Sequence, residues 1–233
     1  MQSRRLLIFA AAGILVASGV MMRPYLGALA RRVTARNAAG APLDGSHYAR
    51  QSSYYAALGR KLDIVMLGDS RVEWRAWTEM LGRGDISNRG IAGDTTAGIL
   101  RRVRSSVPNN GGVVVIQAGV NDLNQGVKPD EVMANFRSIL KCLREEKQAR
   151  VIVTSIILVG QVRPDLNHTI SDCNRELSQF TAARAEWLDL NAVLAPQGYL
   201  SSDYSEDGVH LNERGYEEVC RVLAPHLPAE NAG

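Results

Sequence analysis

The 233-residue chain contains few cysteines, and none of them forms a metal-binding or redox motif. Cys142, Cys173 and Cys220 lie far apart, so the C-x-x-C pairs of zinc sites and thioredoxin-like proteins are absent. Three cysteines allow at most one internal disulfide, and their spacing leaves open whether one forms. We expect no metal or redox site built on cysteines, and we predict no other cofactor.

The sequence also lacks the features of nucleotide- and nucleic-acid-binding proteins. Neither G-x-x-x-x-G-K-[ST] nor G-x-G-x-x-G occurs. The formal net charge of +3 comes from the first 45 residues, which hold six of the 27 basic residues and one of the 24 acidic residues. The remaining 21 basic and 23 acidic residues give a net charge of −2. We expect no nucleic-acid partner, and we interpret Arg101, Arg102 and Arg104 as a solvated helix face.

The apolar stretch near the N-terminus is short for a membrane-spanning helix. Leu6 to Met22 contains 17 apolar and small residues, whereas a spanning helix usually needs about 20. Arg4 and Arg5 precede it, as in an export signal. Ser3 to Ile8 also resembles a twin-arginine signal of bacteria. We therefore expect residues 1–30 to direct the protein to the periplasm or the extracellular space.

The same segment leaves cleavage open. Ala28-Leu29-Ala30 resembles a cleavage site, which predicts a mature chain that starts near Arg31. The alternative is an uncleaved anchor in the inner membrane, and therefore membrane association through the N-terminus. We interpret residues 31–62 as a linker with a weak helix over 47–60, and residues 63–226 as the main domain.

The main domain alternates between strand and helix patterns. Short apolar runs predict five strands: Asp63–Gly68, Asp85–Asn88, Gly112–Ala118, Arg150–Ile157 and Glu186–Leu190. Periodic apolar positions predict the helices between and after them: Arg71–Leu81, Thr95–Val103, Pro129–Lys147, Thr169–Arg184 and Asn212–Leu223. This order predicts an α/β fold in which a five-stranded parallel sheet carries helices on both faces.

Ligands of such folds bind beyond the carboxyl ends of the strands, so the residues after each strand are the candidates for chemistry. Ser70 follows the first strand, and Asp207 and His210 follow the fifth. A carboxylate three residues before a histidine can hold Nδ1–H and leave Nε2 facing a nucleophile. Each residue also has an ordinary alternative: Ser70 as a helix N-cap, and His210 as a loop histidine beside a capping Asp207.

Two further loops offer hydrogen-bond donors for a developing oxyanion. Gly93, after the second strand, presents a backbone N–H, and Asn121, after the third, presents a side-chain amide. Both residue types are also common in turns. The joint pattern is more specific than any of its members.

Four blocks of the sequence resemble those of the SGNH, or GDSL, hydrolase superfamily. They are Gly68-Asp69-Ser70, Asn88 to Thr95 (NRGIAGDT), Gly119 to Asp122 (GVND) and Asp207 to His210 (DGVH). They occur in order over roughly 160 residues, from about Asp63 to Pro225. Within the superfamily, the chain is most similar to the branch that contains the catalytic subunits of platelet-activating-factor acetylhydrolase.

The resemblance implies a three-layer flavodoxin-like fold and ester hydrolysis without a metal. Carried over by motif, Ser70 is the nucleophile, His210 the general base and then acid, and Asp207 the carboxylate that orients it. The backbone N–H groups of Ser70 and Gly93 and the side chain of Asn121 form the oxyanion hole. Arg71 departs from the leucine or isoleucine that usually follows the serine, and we expect this cation near the mouth of the site.

The predicted function is a serine esterase that removes short acyl groups, such as acetyl, from a carbohydrate or another small ester. The absence of a long apolar lid segment favours short acyl groups. A lysophospholipase or thioesterase acting on longer acyl chains is the alternative. A non-catalytic binding domain on the same fold is a more remote one.

Overall fold

The protein is described here from a computed structural model, which gives the positions of residues 45–58, 63–109 and 112–230. The predicted export segment 1–30 and most of the predicted linker 31–62 lie outside these described residues. No helix within the described ranges is both long and apolar enough to cross a membrane.

Five short strands form one parallel sheet with the order β2-β1-β3-β4-β5. The strands are β1 (Ile64–Gly68), β2 (Ile86–Gly90), β3 (Val113–Gln117), β4 (Arg150–Thr154) and β5 (Glu186–Leu188). Gly68 pairs in register with Gly90 on one side and with Gln117 on the other. The loops that leave β1, β2 and β3 therefore start side by side at one edge of the sheet, where the chain order reverses.

Helices connect the strands and cover both faces of the sheet, as predicted. In the described ranges they are α1 (Gly45–Ala57), α2 (Ser70–Glu73), α3 (Trp77–Leu81), α4 (Thr96–Ser106), α5 (Val120–Asn124), α6 (Pro129–Lys141), α7 (Pro164–Thr181), α8 (Asn191–Leu194) and α9 (Glu213–Leu223). A π-helical turn (Cys142–Glu146) extends α6, and a 3₁₀ turn (Ala224–His226) follows α9.

Alternate side chains of each strand enter two different cores. In β1, Val65 and Leu67 join the core under α4, α6 and α7, whereas Ile64 and Met66 join the core under α3 and α9. This two-sided burial explains why the strands are continuous apolar runs. The three cysteines are free thiols buried in these cores, so they form no disulfide with one another.

The predicted helix Arg71–Leu81 is wrong, because it is divided into α2 and α3. The side chain of Asn88 explains the break. Its Nδ2 donates to the carbonyl oxygens of Val72, Glu73 and Arg75 at 2.8, 3.0 and 2.9 Å, and these acceptors are then satisfied without a continuous helix.

The fourth strand is shorter than the predicted Arg150–Ile157, since it ends at Thr154. The buried chain that follows has irregular backbone, and three asparagine side chains satisfy its polar groups. Asn167 bonds both the N–H and the carbonyl of Val159 at 2.8 Å. Asn174 does the same for Ile156 at 2.8 Å, and Asn191 links the Leu158 N–H at 2.9 Å to the Ile156 carbonyl at 2.9 Å.

Candidate active site

Ser70 lies at the tight turn between β1 and α2. The turn needs glycine before it, because a Cβ on Gly68 would lie 2.2 Å from the Gln117 carbonyl oxygen. Asp69, and not Ser70, caps α2: its Oδ1 accepts the backbone N–H of Arg71 at 2.9 Å. The hydroxyl of Ser70 is therefore available, and it donates to His210 Nε2 at 3.1 Å.

The loop between β5 and α9 supplies the imidazole and the carboxylate. Asp207 Oδ2 accepts His210 Nδ1–H at 2.6 Å, while its Oδ1 accepts the backbone N–H groups of Val209 and His210 at 2.8 and 2.7 Å. Gly208 has φ +74°, in the region that favours glycine. Asp207, His210 and the turn between them thus form one locally bonded unit.

The partners of the imidazole fix its tautomer. An ionised carboxylate only accepts, so Nδ1 carries the hydrogen and Nε2 accepts from Ser70. Burial raises the pKa of Asp207, but the hydrogen bonds from the His210 ring and from the backbone N–H groups of His210 and Val209 outweigh it, and the net pKa is lowered. The carboxylate is therefore ionised at neutral pH.

The predicted oxyanion donors lie on the neighbouring loops. Gly93, at φ +74°, is exposed, and its N–H and that of Ser70 have no hydrogen-bond partner in the described part of the chain. Asn121 Nδ2 donates to the Asp94 carbonyl at 2.9 Å, which ties the two loops together. The amide carries a second N–H, for which no partner is found among the described residues.

A buried ion pair between Arg102 and Asp94 connects the loop after β2 to the end of β1. Arg102, predicted as part of a solvated face, is only 1% exposed, and its Nε donates to Asp94 Oδ2 at 2.8 Å. Its Nη2 donates to the Gly68 carbonyl at 3.0 Å, so the prediction for this residue was wrong. Burial raises the pKa of Asp94, and the guanidinium opposes the shift.

The comparison with known sequences decides the family. The model of the GDSL-like Lipase/Acylhydrolase family matches residues 52–218. The chain belongs to this family. It is thus an acylhydrolase of ester bonds, and the predicted superfamily and α/β fold class are confirmed.

Curated relatives point to the same branch as the sequence blocks. The alpha1 subunits of platelet-activating factor acetylhydrolase IB from Bos taurus and Homo sapiens are each 29% identical over 175 residues, covering 69% of this chain and 73% of the relative.

Solved structures share the fold. A putative platelet activating factor from Streptococcus pneumonia has a TM-score of 0.72 at 22% identity, covering 78% of this chain and 94% of that one. A GDSL-like lipase from Bacteroides thetaiotaomicron has a TM-score of 0.65 at 23% identity, with coverages of 77% and 96%. A mutant of Axe2, an acetyl-xylooligosaccharide esterase from Geobacillus, has a TM-score of 0.61 at 17% identity, with coverages of 76% and 99%.

Arg71 of the acylhydrolase lies inside the protein, not at the mouth of the site, so that expectation was wrong. Its side chain is 2% exposed. Nε donates to the Val209 carbonyl at 2.8 Å, and Nη1 donates to the Ile157 carbonyl at 2.9 Å. The cation is consequently buried against the backbone that precedes His210, out of reach of solvent.

Trp74 borders the candidate site, although it belongs to none of the four sequence blocks. Its ring lies 4.4 Å from the His210 ring, centroid to centroid, at an angle of 34°. It is 55% exposed, whereas Trp77 is buried and donates Nε1–H to the Val72 carbonyl. Trp74 therefore forms a wall beside the imidazole.

Glu73 was missed, because no motif marks it. Its Oε2 accepts the backbone N–H of Ala92 at 2.7 Å, next to Gly93. Its Oε1 accepts from His47 and Gln51 of α1, both at 2.9 Å. Helix α1 is thereby bonded to the loop that carries Gly93.

Proposed function

We propose that the protein is a serine esterase that hydrolyses short acyl esters through Ser70, His210 and Asp207. The observation that carries the proposal is the pair of hydrogen bonds that joins them, at 3.1 Å from Ser70 to His210 and 2.6 Å from His210 to Asp207. Ser70 and His210 lie 140 positions apart in the sequence, so a chance local turn does not explain their contact.

Acylation begins when Ser70 Oγ attacks the acyl carbonyl carbon and His210 Nε2 takes the hydroxyl proton. The imidazolium that results is stabilised by Asp207, which remains ionised. The proton then passes from Nε2 to the leaving alcohol as the C–O bond breaks, and the acyl group stays on Ser70 as an ester.

The negative charge on the carbonyl oxygen needs donors that are already in place. The backbone N–H groups of Ser70 and Gly93 and the amide of Asn121 supply them, and loss of one such donor typically costs about 10²–10³ in kcat. Deacylation repeats the steps with water: His210 takes a water proton, hydroxide attacks the acyl carbon, and Ser70 regains its proton. No step requires a metal.

The surface beside the site supports a short acyl group. In the described part of the chain, the large apolar side chains with substantial exposure are Tyr54, Trp74 and Val162, and Trp74 contacts the catalytic histidine. A long acyl chain would need a larger continuous apolar surface, since burial contributes about 0.8 kcal/mol per CH₂. A small ester of a carbohydrate or another alcohol fits this site better.

Hydrolysis of nitrophenyl acetate, butyrate and octanoate tests the proposal. We expect acetate and butyrate to be preferred, and Ser70→Ala to lower kcat by at least about 10⁴-fold. A fluorophosphonate probe should label Ser70 in the wild-type protein and not in Ser70→Ala.

Each other outcome contradicts a stated part of the proposal. Faster turnover of octanoate than of acetate would favour a lysophospholipase or thioesterase. Equal activity of Ser70→Ala and wild type would exclude the serine mechanism. Absence of both turnover and labelling would favour a binding domain.

We also propose that residues 1–30 export the protein and that the mature chain begins near Arg31. The basic pair before a short apolar run and the A-x-A-like site support it. N-terminal sequencing of protein purified from its host should give a start close to Arg31. An intact Met1 in the membrane fraction would instead indicate an anchor.

A further inference from the structure

We propose that Arg71 is a positioning residue that sets the location of the catalytic histidine relative to the nucleophile. The inference rests on the proposed function, because it assigns a role within the same site. It goes beyond that function because Arg71 touches neither substrate nor reacting atoms.

The need for such a residue follows from how the site is assembled. The Asp207 to His210 turn is held together by its own hydrogen bonds, so its internal geometry is local. These bonds do not set the distance between His210 and Ser70, since His210 lies on the loop after β5 and Ser70 on the loop after β1. Attack requires this distance to be right within a few tenths of an ångström.

The hydrogen bonds of the Arg71 side chain connect the two loops and can set that distance. It is the residue next to the nucleophile, and its Nε bonds the carbonyl of Val209, the residue next to the base, at 2.8 Å. The same guanidinium bonds Ile157 at 2.9 Å. Ile157 lies on the chain that leads to Gly160, whose N–H donates to the Gly208 carbonyl at 2.7 Å. One side chain thereby links the loops after β1, β4 and β5.

The backbone of Arg71 is also held by hydrogen bonds. Its N–H donates to buried Asp69, and its carbonyl accepts the Tyr216 hydroxyl at 2.9 Å. The nearby Asp69 and Asp207 carboxylates also offset its charge. A buried charge is costly, and these carboxylates and carbonyls offset part of the cost, while Arg71 Nη2 has no hydrogen-bond partner among the described residues.

The guanidinium geometry explains why arginine stands at this position. Its planar fork can direct two N–H groups to two separate carbonyls with fixed angles, while a lysine ammonium is a single point on a flexible stem. Leucine, the more usual residue after the serine in the superfamily, would leave the Val209 and Ile157 carbonyls without this donor.

The test compares Arg71→Lys and Arg71→Leu with a control at another arginine that bonds a backbone carbonyl. Arg83 donates to the Pro228 carbonyl at 2.7 Å and to the two Asp85 carboxylate oxygens at 2.8 and 2.6 Å. It precedes β2 and therefore lies at the opposite edge of the sheet from Ser70. We expect kcat for nitrophenyl acetate to fall by about 10-fold in Arg71→Lys and about 10²-fold in Arg71→Leu, with KM changed less than about 3-fold. Arg83→Lys should retain kcat even though its Tm falls.

Two further readouts keep the inference testable if Arg71→Leu does not fold or if no ester is turned over. The rate of fluorophosphonate labelling of Ser70 should fall in Arg71→Lys by the same factor as kcat. A crystal structure of Arg71→Lys should show Ser70 Oγ and His210 Nε2 beyond hydrogen-bond distance.

The contrary outcomes are distinct from failure of the proposed function. A folded Arg71→Lys variant with wild-type kcat, or with Ser70 and His210 still at about 3.1 Å, would overturn the inference. An equal loss of kcat in Arg83→Lys would also overturn it. A wild-type protein that neither hydrolyses esters nor reacts with the probe would overturn the esterase mechanism, while the structure of the variant would still test Arg71.

Discussion

Two tryptophans three positions apart show how one segment serves both the core and the site. Trp77 begins α3, where it packs edge-on against Tyr216 at 5.9 Å. Trp74 lies just after the end of α2, in the break between the two helices, and its ring turns to His210. The Asn88 side chain that holds this break open therefore also decides where Trp74 points.

Trp74 should contact the alcohol part of the substrate. In the proposed mechanism His210 Nε2 delivers the proton to the leaving oxygen, so the leaving group would lie beside the ring that contacts the imidazole. We expect Trp74→Ala to raise KM about 2- to 10-fold for naphthyl acetate, in line with the worth of an aromatic contact, and less than about 2-fold for ethyl acetate. Steady-state kinetics with both esters would measure the difference.

Trp74→Phe is the matched control, because it keeps an aromatic face and should retain most of the affinity for the naphthyl ester. An equal rise of KM for both alcohols in Trp74→Ala would contradict a leaving-group contact. A fall in kcat with unchanged KM in Trp74→Ala would instead indicate that the ring only supports His210.

At the scale of the elements, sequence patterns predicted the strands and loops that depend on residues close together in the chain. The five strands emerge from apolar runs, and the loops with Ser70, Gly93, Asn121 and His210 emerge from short motifs, whereas the strand order comes from the structure. The break between α2 and α3 depends on Asn88, fourteen positions beyond Trp74. Apolar periodicity cannot reveal this break, since Trp74, Trp77 and Leu81 occupy the i, i+3 and i+7 positions of a single helix face.

The chain after β4 gives a second case. Its residues 155–159 are as apolar as a strand, yet they leave the sheet because Asn167, Asn174 and Asn191 take over their backbone hydrogen bonds. Likewise, the contacts of Arg71 and Glu73 join positions far apart in sequence and carry no motif. Sequence motifs therefore mark candidate residues, which stay predictions, but they do not mark the side chains that hold these residues in place.

At the scale of the whole molecule, buried acidic groups lie on both sides of the sheet. Burial raises the pKa of the Cys173 thiol to about 12 in the core under α7, and that of Cys220 to about 11 in the core under α9. Burial likewise raises the pKa of Tyr55 and Tyr216 to about 12. The ordinary values are 9.0 for the thiols and 10.0 for the phenols, so all four groups stay neutral in the folded protein where the unfolded chain ionises.

This difference predicts a loss of stability in alkali. Between pH 9 and about 11 the unfolded state releases thiol protons that the folded state retains, so the free energy of unfolding falls as pH rises. We expect Tm to fall by about 4 °C or more from pH 8.5 to 10.5, since 1 kcal/mol corresponds to roughly 2–4 °C in a domain of this size. A Cys173→Ala, Cys220→Ala protein should start from a lower Tm, because cavities cost stability, and yet lose less of it over the same range. Parallel curves for the two proteins would contradict this origin. The source would then lie among the other groups whose pKa burial raises, which include the Cys142 thiol and the phenols of Tyr55 and Tyr216.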